Sequence, residues 1–168
     1  MVLVAMVDVS LYASIIDESR LTVSDAEYCI LRAEAGVKIP DGMDAAQAAP
    51  LLCAGVTVFN GIRRMDILPG GTVAIQGLGG LGHLALQYSR KMGFRTVALS
   101  RDGSKKDFAM KLGATDYLDG TQSGDSGEAL QAIGGADLIV VTAPNPKLMG
   151  PLINGLAPRG KLLILARK

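Results

Sequence analysis

The stretch Thr72-Val73-Ala74-Ile75-Gln76-Gly77-Leu78-Gly79-Gly80-Leu81-Gly82-His83-Leu84-Ala85-Leu86-Gln87-Tyr88-Ser89-Arg90-Lys91 decides how this chain folds. Its first five residues form a short apolar run between glycines, the length and composition of a buried strand. From His83 onward the apolar residues return at helical spacing. The pattern G-x-G-x-x-G between a strand and a helix predicts a dinucleotide site, whereas the same glycines without that context would be a weak match. Gly77 allows a tight turn, Gly79 lets the backbone approach a diphosphate, and Gly82 lets the helix pack close to the strand. The helix N-terminus adds free N–H groups and the positive end of a dipole to the phosphates. Leu78, Gly80 and Leu81 complete the turn.

Downstream, strands are expected at 72–76, 95–100, 115–118, 137–142 and 160–165. Helices are expected at 80–92, 104–112, 126–133 and 146–155, with Ser104 as an N-cap and Gly113 at a helix C′ position. Alternating strands and helices of these lengths predict an α/β fold, a Rossmann-type doubly wound parallel sheet with right-handed crossovers. The count is about five strands where such a sheet has six. Leu162-Leu163-Ile164-Leu165 is therefore expected at an unpaired edge, and the chain reads as cut short, lacking its last strand.

Upstream the pattern is weaker. The first 24 residues lack a clear period, although the first nine suit a strand. Residues 26–31 and 36–40 suit two more. Pro40-Asp41-Gly42 is a turn, Asp44 can cap a helix over Ala45–Ala49, and Pro50 opens a helix running to Arg63. The expected division is a β remnant over residues 1–40 and a nucleotide-binding domain over 41–168.

Composition narrows the function. Hydrophobic residues make up 49% of the chain, enough for one core. A net charge of +1 and an aromatic content of 4% without Trp argue against nucleic acid as a partner. No apolar run approaches a membrane span, and no basic leader precedes the apolar N-terminus, so a cytoplasmic protein is expected. Two cysteines, Cys29 and Cys53, make no disulfide framework. A single histidine, His83, leaves no Ser/His/Asp set and suits a helix-surface or cap position. Cys29 and Cys53 are expected as buried thiols, Met65, Met92 and Met110 as packing residues, and Arg63-Arg64 as a solvated face. Asp116 and Asp137 are expected to solvate loop ends.

The tip of the second strand bears on the coenzyme. A carboxylate there would bind the adenosine ribose of NAD. Here the strand ends in Ser100-Arg101, with Asp102 two residues beyond Ser100 and able to swing in. The missing carboxylate removes repulsion of a 2′-phosphate, and Arg101 offers a planar cation to it. Lys105 and Lys106 fall in the next helical turn, where the dipole disfavours cations unless an anion binds nearby. This chemistry favours NADP over NAD.

Beyond the glycine turn, Val37-Lys38-Ile39-Pro40-Asp41-Gly42, Ala48-Ala49-Pro50-Leu51-Leu52-Cys53-Ala54-Gly55-Val56-Thr57-Val58-Phe59 and Val141-Thr142-Ala143-Pro144 stand in order. The chain resembles the zinc-type alcohol dehydrogenases of the medium-chain dehydrogenase/reductase superfamily, nearest the NADP-preferring, cinnamyl-alcohol-type branch. The likeness runs from about residue 26 to the end. It implies a GroES-like catalytic domain, of which residues 1–40 would be a remnant, beside the Rossmann domain. It implies zinc polarising an alcohol or carbonyl oxygen while hydride moves to or from the nicotinamide. By resemblance Cys53 matches the third catalytic zinc ligand, vestigial here, Thr57 lies near the nicotinamide, and Thr142 and Ala143 face the coenzyme. Family dimers commonly pair through the sixth strand, so a homo-oligomer is possible.

The departures define the alternatives. The family's other zinc ligands belong to a segment that this sequence does not match, and one thiolate makes no tetrahedral site. The first reading is an NADP-dependent dehydrogenase acting on a small alcohol or aldehyde, in truncated form. A second is a non-catalytic NADP-binding fragment. A third is a zinc-free reductase of the quinone or enoyl type.

Overall fold

The computed structural model describes residues 3–6, 38–120, 124–143 and 149–165. Its elements are β1 (Leu3–Met6), α1 (Ala45–Ala48), a 3-10 turn (Ala49–Leu52), α2 (Ala54–Arg63), β2 (Thr72–Gln76) and α3 (Gly80–Lys91). They continue with β3 (Arg95–Ser100), a 3-10 turn (Gly103–Lys105), α4 (Lys106–Lys111), β4 (Asp116–Asp119), α5 (Ser126–Ala132), β5 (Ala136–Val141), α6 (Met149–Asn154) and β6 (Leu156–Ile164). The strands form one sheet in the order β1-β6-β5-β2-β3-β4, and every pairing is parallel. Chain order and spatial order reverse between β2 and β5, the crevice where such sheets place their ligands.

The central strands β2, β3 and β5 are buried on both faces, as parallel sheets demand. Val73, Ile75, Leu138, Val140 and Leu163 face the layer that holds Val58 and Ile62 of α2 and Leu86 of α3. Ala74, Val97, Leu99, Ile139 and Leu162 face the opposite layer, with Leu130 of α5 and Leu152 of α6. Period-two alternation in β2 therefore splits one apolar run between two cores. Each fully buried aliphatic side chain contributes roughly 1.5–3 kcal/mol. No single helix among the described residues is long and apolar enough to cross a membrane.

Several expectations are corrected. The edge of the fifth expected strand is paired: Leu3–Met6 lies parallel along Lys161–Ile164 and takes the sixth place in the sheet. Backbone groups along an open edge seek partners, and the nearest free strand supplies them. The helix expected from Pro50 to Arg63 is broken at Cys53, between a 3-10 turn and α2. Ser104 is no N-cap; Asp102 is, its carboxylate accepting from the Ser104 amide at 2.9 Å. Lys38–Pro40 has no regular structure, and the expected strand 26–31 lies outside the described residues, as do Cys29 and most of the expected N-terminal remnant. Met65 is buried and Met92 packs against the core, whereas Met110 is exposed. Arg63 and Arg64 are exposed as expected, and Gly113 takes the C′ position of α4 with φ +103°.

Candidate functional site

The glycine turn joins the carboxyl end of β2 to α3, and each glycine does different work. Gly77 has φ +90°, which side chains rarely adopt. A Cβ at Gly82 would stand 1.9 Å from the Gly77 carbonyl oxygen, so only glycine lets α3 start against the turn. Gly79 and Gly80 are the opposite case: a Cβ at either would meet nothing within 4 Å. Gly79 is the N-cap of α3, and the first helical bond is His83 N–H to the Gly79 carbonyl at 3.1 Å. The N–H groups of the turn before it have no helical partner. Two bare glycines beside these donors leave a cradle that a diphosphate fits.

Thr142, after β5, holds the turn from the side. Its hydroxyl is 2.9 Å from the carbonyls of both Gln76 and Gly77, and its N–H donates to Gln76 at 3.0 Å. Ala143 follows, and a Cβ at Gly77 would lie 2.9 Å from its methyl group. Lys105 closes the far side, its ammonium donating to the Leu78 carbonyl at 3.0 Å. These residues border a cleft of about 460 Å³, within the range of small-molecule sites. Ser100 and Arg101, from the tip of β3, line it as well.

The β3 tip carries the electrostatics. Arg101 is exposed and makes no ion pair among the described residues. Asp102 and Ser104 also line the cleft, and Ser104 donates to the Asp102 carboxylate from both its amide and its hydroxyl. The Ser104 hydroxyl, then the Ser104 amide, hold its carboxyl below the ordinary carboxylate range. The Tyr117 hydroxyl donates to the Asp102 carbonyl, which fixes the turn against β4. An ionised carboxylate thus caps the turn.

The structure brings Gly77, Leu78, Gly79, Ser100, Arg101, Lys105, Thr142 and Ala143 to one cleft. Gly80, Leu81 and Gly82 form the start of α3 behind it. Thr57 lies half-buried in the first turn of α2 and does not line that cleft. Cys53, expected buried, is exposed, because the break between the 3-10 turn and α2 turns it outward. Among the described residues no three His, Cys, Asp or Glu side chains group to hold a metal ion, so Cys53 alone does not fit zinc. His83 sits on α3, its Nδ1 3.2 Å from the Gly79 carbonyl, as a residue near the helix start rather than a base.

Sequence reasoning missed three supports. Asp137 accepts the Thr72 N–H at 2.8 Å and ties β5 to the start of β2. Asp116 pairs with Arg95, Nε and Nη2 each at 2.9 Å from one carboxylate oxygen. Gln76 was legible only as the last strand residue, yet the residue is 8% exposed and its Oε1 has no hydrogen-bond partner among the described residues. A polar residue closing an apolar strand was the available signal.

A parallel sheet with a glycine cradle at its switch point defines a dinucleotide-binding domain. Residues 80–167 match the family of zinc-binding dehydrogenases, and the chain belongs to that family. It is 64% identical over 141 residues to the alcohol dehydrogenase patD of Penicillium expansum, covering 84% of this chain and 41% of that protein. A cinnamyl alcohol dehydrogenase of Sorghum bicolor superposes with a TM-score of 0.70 at 32% identity, covering 78% of this chain and 37% of that one. The CAD from Helicobacter pylori complexed with NADP(H) gives a TM-score of 0.63 at 27% identity, covering 74% of this chain and 34% of that one. The chain spans about two fifths of the length of the curated relatives it matches.

Proposed function

We propose that this chain is the coenzyme-binding part of an NADP(H)-dependent alcohol dehydrogenase that interconverts an alcohol and an aldehyde or ketone. The observation that carries the reading is the open space over Gly79 and Gly80 at the start of α3, beside a turn closed by Gly82. When bound, the coenzyme would supply the nicotinamide that takes or gives a hydride. The turn's backbone N–H groups would hold the diphosphate. Arg101, free of ion pairs among the described residues, would meet the 2′-phosphate with a charge-assisted fork, and Ser100 would add a hydroxyl. Lys105 already reaches the turn and would place its charge between the two phosphate sites. Thr142 would keep the turn's carbonyls directed away from the anion. The relatives' names support an alcohol as substrate, and the Helicobacter pylori complex supports NADP(H).

Cys53, with no further metal-binding side chains grouped around it among the described residues, favours a second reading for the chain by itself, coenzyme binding without turnover. No step is assigned to zinc in either case. Titration of NADPH fluorescence tests the first claim, and an alcohol-dependent assay on the same sample separates the two readings. Arg101→Ala is expected to weaken NADPH about tenfold or more, as loss of a charge-assisted bond implies, and to leave NADH nearly unchanged. Equal weakening of both coenzymes would remove the 2′-phosphate assignment.

A further inference from the structure

Gln76 closes β2, with Leu99 and Val141 as its neighbours on either side. Alternation along the strand puts its side chain on the face of Ala74, toward the layer of α5 and α6. That layer stops short here. Gln76, Leu99, Ser100 and Arg101 border the coenzyme cleft and also a smaller cavity of about 160 Å³ that runs toward Gly120 and Gly124. Gly120 and Gly124 line that cavity without adding a side chain to it.

Gln76 as a residue is 8% exposed, and its buried Oε1 has no partner among the described residues. Burying an acceptor without a bond costs free energy, and native structures seldom tolerate it without a reason. The Gln76 carbonyl accepts from both the hydroxyl and the amide of Thr142, so the unmet acceptor is in the side chain.

We infer that the Gln76 carboxamide is a recognition group for the adenosine half of the coenzyme, its Oε1 accepting a hydrogen bond from a ribose hydroxyl or from the adenine amino group. The inference rests on the coenzyme reading above and adds a residue to it. It also suits the tip of β3, where the one carboxylate, Asp102, is engaged by Ser104: a neutral acceptor on the adjacent strand reads the nucleoside without adding repulsion of a 2′-phosphate.

The test uses the full chain and its Gln76→Met variant, which keeps the length of the side chain and removes the acceptor. NADPH and its deaminated analogue, in which hypoxanthine replaces adenine, are titrated by fluorescence, and unfolding without coenzyme is followed by circular dichroism. The expected result is a 3- to 10-fold weaker NADPH complex with an unchanged or raised Tm. If the analogue weakens by the same factor, a ribose hydroxyl is the donor; if the variant no longer distinguishes the analogue from NADPH, the adenine amino group is. NADPH affinity within twofold of the parent overturns the inference and leaves the coenzyme reading standing. A Tm lowered by several degrees together with weaker binding overturns it too, since that marks a purely structural amide. No binding of NADPH to the parent chain at millimolar concentration overturns both. Should Gln76→Met fail to fold, Gln76→Asn, which withdraws the carboxamide by one methylene, carries the same expectation.

Discussion

Replacing Gly82 and Gly79 by alanine separates a packing glycine from a ligand glycine. At position 82 the added Cβ would lie 1.9 Å from the Gly77 carbonyl oxygen and 2.9 Å from its carbon, far inside ordinary contact at 3.4–4 Å. The obstacle is backbone, and the same carbonyl is held by the Thr142 hydroxyl at 2.9 Å, so relief requires breaking that bond. Overpacking costs about 1–3 kcal/mol and the lost bond about 1, offset by about 1 from alanine's better helix propensity. The net loss for Gly82→Ala is about 2 kcal/mol, or roughly 4–8 °C in Tm for a domain of this size. At position 79 nothing lies within 4 Å and φ is −97°, which any residue adopts. Gly79→Ala should therefore change stability by less than about 1 kcal/mol, yet fill the space a diphosphate needs and weaken NADPH at least roughly tenfold. Thermal unfolding and NADPH titration on both variants check this. Gly82→Ala melting with the parent, or Gly79→Ala binding like the parent, would refute the division of labour.

Thr142→Val keeps the shape and removes the hydroxyl shared by two carbonyls; a loss of about 1–2 kcal/mol in urea unfolding is expected, together with weaker coenzyme binding. Arg95→Ala breaks the pair with Asp116 and the bond from Nη1 to the Ile133 carbonyl at 3.2 Å; because the pair is about one-third exposed, a loss near 1 kcal/mol is expected, and a loss above 3 would contradict it. Asp102 should titrate below an ordinary aspartate in a carbon-detected NMR titration, and Ser104→Ala should raise its midpoint, since the Ser104 hydroxyl is the first cause of the shift. Its folded value lies below its unfolded one, so its contribution is present above the unfolded value and is lost as pH falls through the folded value. Protection of the Ser104 amide, its exchange rate taken relative to the intrinsic rate at each pH, is accordingly expected to fall only in acid, and absence of protection at neutral pH would contradict the cap.

The turn was legible because its physics is local. A strand end, a positive-φ glycine and a helix start occupy neighbouring residues, and each demand shows in residue type. The same holds for the Asp44 cap, which accepts from Gln47 at 3.0 Å, and for Gly113. Cys53 was misjudged because apolar neighbours suggest burial, while the backbone break that exposes it depends on how Pro50 and the Gly55 contact with Tyr88 seat two short helices. Asp116 and Asp137 looked like solvated loop ends because their partners, Arg95 and the Thr72 amide, stand on other strands.

By itself the sequence determined the alternation of strands and helices, the parallel sheet that follows, and the glycine pattern of the cradle, since periodicity and steric freedom are written residue by residue. Only the tertiary structure decided which strand covers β6, that Thr142 clamps the turn, and that Gln76 is left with an unmet acceptor. These depend on groups far apart in the chain meeting in space, and hydrogen-bond geometry and burial exist only once they have met.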